Sequence, residues 1–132
     1  MTPQTTSRMF LLAAVFNWVL GLGLLVAPGP FLQLIYISPA LDNPIWANMF
    51  GALVFAFGIG YFRASKDLTH NLALIEIAAP AKLGIGLVAL VNVVQGNVSW
   101  QIMLPAGADV IWCVLFYAAM KSVQAPTLRP QN

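Results

Sequence analysis

An all-α fold, an integral membrane bundle of four transmembrane helices with both termini cytoplasmic and a short interfacial segment after the first span, is what this sequence predicts. Three features lead to it. Of 132 residues, 60% are hydrophobic and 8% charged, against about 45–50% and about 25% in an ordinary soluble domain. A membrane span takes about 20 apolar residues, so the chain has room for roughly four and little else. The basic residues outside the spans all fall on one side of them.

The first span is predicted over about 9–27 (MFLLAAVFNWVLGLGLLVA), behind a polar leader carrying Arg8. It is too long for the apolar region of a signal peptide and lacks a small-residue cleavage pattern, so it is read as a retained helix. Pro28-Gly29-Pro30 stops it. The apolar stretch from Phe31 to Ser38 is too short to cross, and is expected to lie along the interface or dip back into the bundle. A second span over about 45–62 carries Ala52, Ala56 and Gly60 at four-residue spacing. Such a ridge of small side chains lets another helix approach, and the preferred reading is packing inside the monomer rather than a dimer contact.

A polar connection, Arg63 to His70, leads to the third span over about 72–94, where Pro80 should kink the helix. After the uncharged turn Gln95–Ser99, the fourth span covers about 102–120, with Pro105 in its first turn, where proline is tolerated. Residues 1–120 thus form a single four-span domain, and 121–132 a polar cytoplasmic tail expected to be disordered.

Orientation comes from the loops. Arg8, Arg63, Lys66, Lys121 and Arg129 lie on one side, whereas the two connections on the other hold no Lys or Arg. The positive-inside bias therefore puts both termini in the cytoplasm, and Trp46, Trp100, Tyr61 and Tyr117 fall where interfacial aromatic belts belong.

Charges inside the hydrocarbon are the most informative residues, since each costs about 2.5–3.5 kcal/mol on insertion scales. At 1.5 Å per residue Lys82 lies about 15 Å deep on the third helix and Asp109 about 16 Å deep on the fourth. Equal depth on neighbouring antiparallel helices makes an ion pair available. Asn17, Trp18 and Trp112 fall at about 12–14 Å, so these five residues form a candidate intramembrane polar site. Glu76, only about 6 Å in, is a secondary candidate that can reach Lys66 or His70.

That polar layer has three readings: glue fixing the register of four apolar helices, a pocket for a ligand or quinone head, or a proton or ion pathway. The lone cysteine, Cys113, cannot form an intrachain disulfide and reads as a small hydrophobe, and no cluster suited to a metal occurs. His70, beside Asp67, reads as a solvated loop residue. No nucleophile triad, HExxH motif, phosphate loop or usable carboxylate pair is present, so no catalytic residues and no enzyme activity are expected. Net charge of +2 is too small and scattered for nucleic acid.

The set GIGYFRASKDLTHN (58–71), Lys82, GNVSW (96–100) and DVIWCVLFY (109–117) resembles small bacterial four-helix membrane proteins of the broad DoxX-like group, over about residues 50–120. In that group an in-span Lys and an Asp-x-x-Trp recur, matched here by Lys82, Asp109 and Trp112. The namesake was described as a membrane subunit associated with a thiosulfate:quinone oxidoreductase. The resemblance thus implies a bacterial inner-membrane location and, at most, a quinone-linked setting. Small multidrug transporters need an acidic residue in the first span, which offers only Asn17. Vitamin K epoxide reductase-like proteins need a cysteine pair.

The expectation is therefore a multi-pass protein of the cytoplasmic membrane, a non-enzymatic accessory or structural subunit of a membrane assembly. The alternative is a small oligomeric transporter or channel using Lys82 and Asp109. Its partners would be the lipid bilayer and another membrane protein or a second copy. No cofactor is required, and quinone is the one with a candidate place.

Overall fold

The computed structural model describes residues 1–124 as helices and short connections, with no strand among them. Five helices follow in order: α1 (Pro3–Val26), α2 (Pro28–Leu34), α3 (Ile45–Lys66), α4 (Leu72–Val94) and α5 (Met103–Gln124). Four of them are long and apolar enough to cross a membrane. At 22 to 24 residues each, they reach about 33–36 Å, past a hydrocarbon core about 30 Å thick.

The helices outrun the predicted spans at several ends. α1 begins at Pro3 rather than Met9, because Thr2 caps it: its side chain accepts the backbone N–H of Thr5, and proline takes the first position, where no donor is needed. α3 continues past Phe62 to Lys66, placing Arg63 and Lys66 in its last turn, where cations meet the negative end of the helix dipole. α5 likewise runs past Met120. The tail expected from residue 121 is thus helical through Gln124, with Lys121 in the last turn and the Ser122 hydroxyl donating to Ala119. The rest of that tail, Arg129 included, lies outside the described residues.

Pro80 lies inside α4, which continues through it. α4 ends in a Schellman turn: Gly96, at φ +74°, donates to Val93 O, and Asn97 donates to Asn92 O. Only glycine takes that left-handed conformation without strain, and the turn sends the chain back into α5.

α1 packs along α3 and α4 along α5, while α3 and α4 touch only over a short stretch. The bundle is therefore two antiparallel helix pairs with a cleft between α3 and α4. Within the first pair the backbones themselves touch. A Cβ on Gly51 would lie 2.6 Å from Leu25 N, and one on Gly21 would lie 2.7 Å from Phe55 N. The inward small face of α3 is thus Gly51 and Gly58, whereas Ala52 and Ala56 are exposed and Gly60 is half-buried. The expectation that the Ala52/Ala56/Gly60 ridge packs inside the monomer therefore holds only at Gly60, which lies under the Leu74 side chain.

The short segment after α1 is the seven-residue helix α2, laid against α1. Its exit is fastened to the α4–α5 turn: Ser99 N–H donates to Ser38 O at 2.8 Å, and Ser38 N–H donates to Ser99 Oγ at 2.9 Å. Asn48, early in α3, donates to the carbonyls of Leu24 and Leu25, satisfying the end of α1.

Large apolar side chains such as Leu12, Val19, Leu53, Ile77, Val88 and Val114 face outward, while Asn17, Lys82 and Asp109 are buried. A water-soluble bundle has the opposite arrangement; this one suits lipid. The apolar core, centred on Phe10, Ala14, Ile75 and Phe116, lies toward the end that carries the chain's N-terminus.

Candidate functional site

α4 and α5 are antiparallel because the Gln95–Ser99 turn is short, and that register brings Lys82 and Asp109 to one level. The Lys82 ammonium donates to Asp109 Oδ1, with both side chains about 95% buried. It also donates to Asn17 Oδ1 on α1 at 3.2 Å, and Asn17 Nδ2 donates to Val54 O on α3 at 3.0 Å. Three side chains thereby tie all four long helices together. Paired charges with filled hydrogen bonds are the form in which ions survive burial.

Around the ammonium stand two aromatic faces, Tyr61 at 5.4 Å and Phe16 at 5.8 Å from Nζ to ring centroid. Both lie within the range of cation–π attraction. Tyr61 is not in the interfacial belt, as expected above, but 1% exposed in the core, edge-on to Phe116. One signal for it was available: Tyr61 follows Gly51, Val54 and Gly58 at alternating spacings of three and four residues, the inward face of α3.

The remaining candidates separate. Trp112 lies one turn beyond Asp109 and packs on Phe16 and Phe116 at 6.3 and 6.2 Å, so it backs the aromatic wall without bonding to the charged pair. Trp18 turns toward α3, against Phe55 and Phe62 and over Gly58. Its indole N–H is buried and, among the described residues, has no acceptor. The glycine beneath it leaves space for the ring. Successive residues on a helix diverge by about 100°, which is why Asn17 and Trp18 serve different faces. Glu76 is exposed and meets neither Lys66 nor His70, because His70 is held by Asp67 at 2.6 Å while Glu76 accepts from Gln124 at 3.4 Å. The extra turn of α5 brings Gln124 there.

Beside the triad lies a chamber of about 200 Å³, walled by apolar side chains such as Leu20, Leu53, Phe57 and Ile85, with Asn17, Lys82 and Asp109 supplying its polar wall. Phe50, Ala81 and Ile85 also line a second hollow of about 550 Å³ between α3 and α4. The two adjoin, so the chamber faces the lipid side of the cleft. A smaller cavity of about 80 Å³, lined by Leu32 and Ile35 from the α2 segment, adjoins the chamber and shares Leu20, Phe50, Ile85 and Asp109 with it.

An ammonium has three N–H donors. Asp109 and Asn17 take two, and the third has no hydrogen-bond acceptor among the described residues, only the Tyr61 and Phe16 rings nearby. The second Asp109 oxygen has no hydrogen-bond donor among the described residues. The pair, neutral overall, thus offers one donor and one acceptor, and Tyr61, whose hydroxyl has no hydrogen bond among the described residues, lines the same chamber. Among the described residues no three His, Cys, Asp or Glu side chains gather where they could hold a metal.

No family model matches the chain, and no curated protein or solved structure matches it.

Proposed function

We propose that this chain is a small subunit of the cytoplasmic membrane that works by binding rather than catalysis, with both termini in the cytoplasm, serving a larger membrane assembly. Its ligand is a neutral, lipid-soluble molecule with a carbonyl-bearing head, of which a quinone is the type. The observation that carries this reading is the unused N–H of a buried ammonium beside an apolar chamber that adjoins the lipid-facing cleft. A head in the chamber would accept from Lys82 and, in its reduced form, donate to Asp109. Asn17 holds the ammonium in place, and the apolar walls exclude water. The cytoplasmic orientation rests on Arg8, Arg63, Lys66 and Lys121 sharing one end.

Native mass spectrometry of gently extracted protein tests the reading. Co-purification with a quinone or a partner chain, lost in Lys82→Met but with the fold kept in Lys82→Met/Asp109→Leu, supports it. Retention of the ligand by the folded double variant overturns the site.

A second reading has one observation in its favour: Asp109 lines two adjoining cavities, as a residue on a pathway would. A homo-oligomer that moves a solute in proteoliposomes, with no bound ligand, would favour this small transporter or channel over the binding subunit.

A further inference from the structure

The end of the bundle that holds the N-terminus carries a second, chemically different recess. It measures about 380 Å³ and lies where the first turns of α1 meet the last turns of α3 and α5. Five hydroxyl-bearing residues line it, Thr6, Ser7, Ser65, Thr69 and Ser122, together with Lys66. Among the described residues no carboxylate lines it.

The hydroxyls divide by what they already do. Thr6, Ser65 and Ser122 donate to the carbonyls of Thr2, Phe62 and Ala119 on their own helices. Ser7 and Thr69 make no side-chain hydrogen bond among the described residues, so their protons are free, as are those of Lys66, whose ammonium stands 5.2 Å over the Phe62 ring. The recess therefore offers the unengaged hydroxyl protons of Ser7 and Thr69 and, from Lys66, a positive charge.

The acids at this end are already engaged. Asp67 holds the backbone N–H and ring of His70, and Glu76 accepts from Gln124. None of Arg8, Arg63, Lys66 and Lys121 is in an ion pair among the described residues. Four cations against the two carboxylates Asp67 and Glu76 leave this end net positive, and at headgroup level each basic residue contributes about 1 kcal/mol toward anionic lipid.

We infer that this recess seats the phosphate of an anionic phospholipid, with Lys66, Ser7 and Thr69 as its donors. The phosphate brings the negative charge that the lining lacks and accepts the free protons of Ser7, Thr69 and Lys66, and the acyl chains run down the outer faces of α1 and α3. The inference is independent of the Lys82–Asp109 site, which lies in the middle of the bundle.

The full chain, reconstituted in nanodiscs of phosphatidylcholine with a minor share of phosphatidylglycerol and then released, is examined by native mass spectrometry for retained lipid. The expected result is one phosphatidylglycerol per chain, with retention lowered roughly five- to tenfold in Lys66→Gln. Lys66→Arg should restore it, and Lys121→Gln, outside the recess, should leave it unchanged. Thermal stability of each variant in detergent confirms that folding is kept, and Ser7→Ala with Thr69→Val weakens retention with the charge intact. Equal losses in Lys66→Gln and Lys121→Gln would mean diffuse attraction and overturn the site. Inorganic phosphate binding to the lipid-free protein with the same Lys66 dependence, with no lipid retained, would overturn the lipid as its occupant.

Discussion

Lys82 and Asp109, twenty-seven residues apart in sequence, meet in the middle of the bundle with both side chains almost wholly buried. Their pairing sets the register of α4 against α5, and the Asn17 amide carries that register across to α1 and α3. Removing one partner leaves the other charge unmatched in a nearly dry interior.

Lys82→Met or Asp109→Leu alone should therefore destabilise the protein by roughly 3–5 kcal/mol, and the double replacement should recover much of that loss. Reversible unfolding in mixed micelles measures it. Additive losses, with the double variant worse than either single, would show that the two charges are stabilised separately.

Asn17→Leu should cost less, about 1 kcal/mol, since hydrogen bonds within membrane bundles average about 0.6 kcal/mol and Lys82 keeps Asp109. The same unfolding assay applies. A loss as large as that of Lys82→Met would mean that the link from α1, and not the ion pair, holds the two halves together.

The four long helices were legible because hydropathy alone marks a span, and the Lys82–Asp109 level was legible because a five-residue turn leaves two antiparallel helices almost no freedom of register. The inward faces were not. In a helix apolar all round, the side that meets protein differs from the side that meets lipid by size and shape rather than polarity. So Ala52, Ala56 and Gly60 suggested a packing ridge, while the contact between α1 and α3 runs through Gly21, Gly51 and Gly58 and only Gly60 of the ridge packs, against Leu74. Tyr61 suggested a belt residue for the same reason: near a helix end, its hydroxyl gives no sign of which way the ring turns. Trp18 was grouped with Asn17 by depth, which ignores the rotation between consecutive residues. The start of α1 was placed late because hydropathy does not register a Thr2–Pro3 cap.

At the α3–α4 connection, Asp67 accepts the backbone N–H of His70 at 3.1 Å and pairs with its ring at 2.6 Å. The backbone N–H first, and then the ring, hold this exposed carboxyl below its ordinary value of 3.8. A depressed carboxyl lends stability that is present above that ordinary value and is lost as pH falls through the lower, folded one. Amide exchange at His70 should accordingly lose protection only in that acidic window, after correction for intrinsic rates, while Asp67→Asn should remove the dependence. Loss of protection near neutral pH would contradict the assignment to Asp67.

Gly51 and Gly84 make opposite predictions for the same change. A methyl group on Gly51 would fall 2.6 Å from Leu25 N and 2.8 Å from Gly21 O, backbone atoms that cannot step aside without moving α1. A methyl group on Gly84 meets nothing within 4 Å among the described residues. Gly51→Ala should then destabilise by about 1–3 kcal/mol, the usual cost of overpacking, and Gly51→Val by more. Gly84→Ala should stay within about 1 kcal/mol of the parent on the stabilising side, because alanine loses less backbone entropy in a helix than glycine. Thermal unfolding of the three variants under one detergent condition decides it. If Gly51→Ala is tolerated as well as Gly84→Ala, α1 and α3 do not approach backbone to backbone.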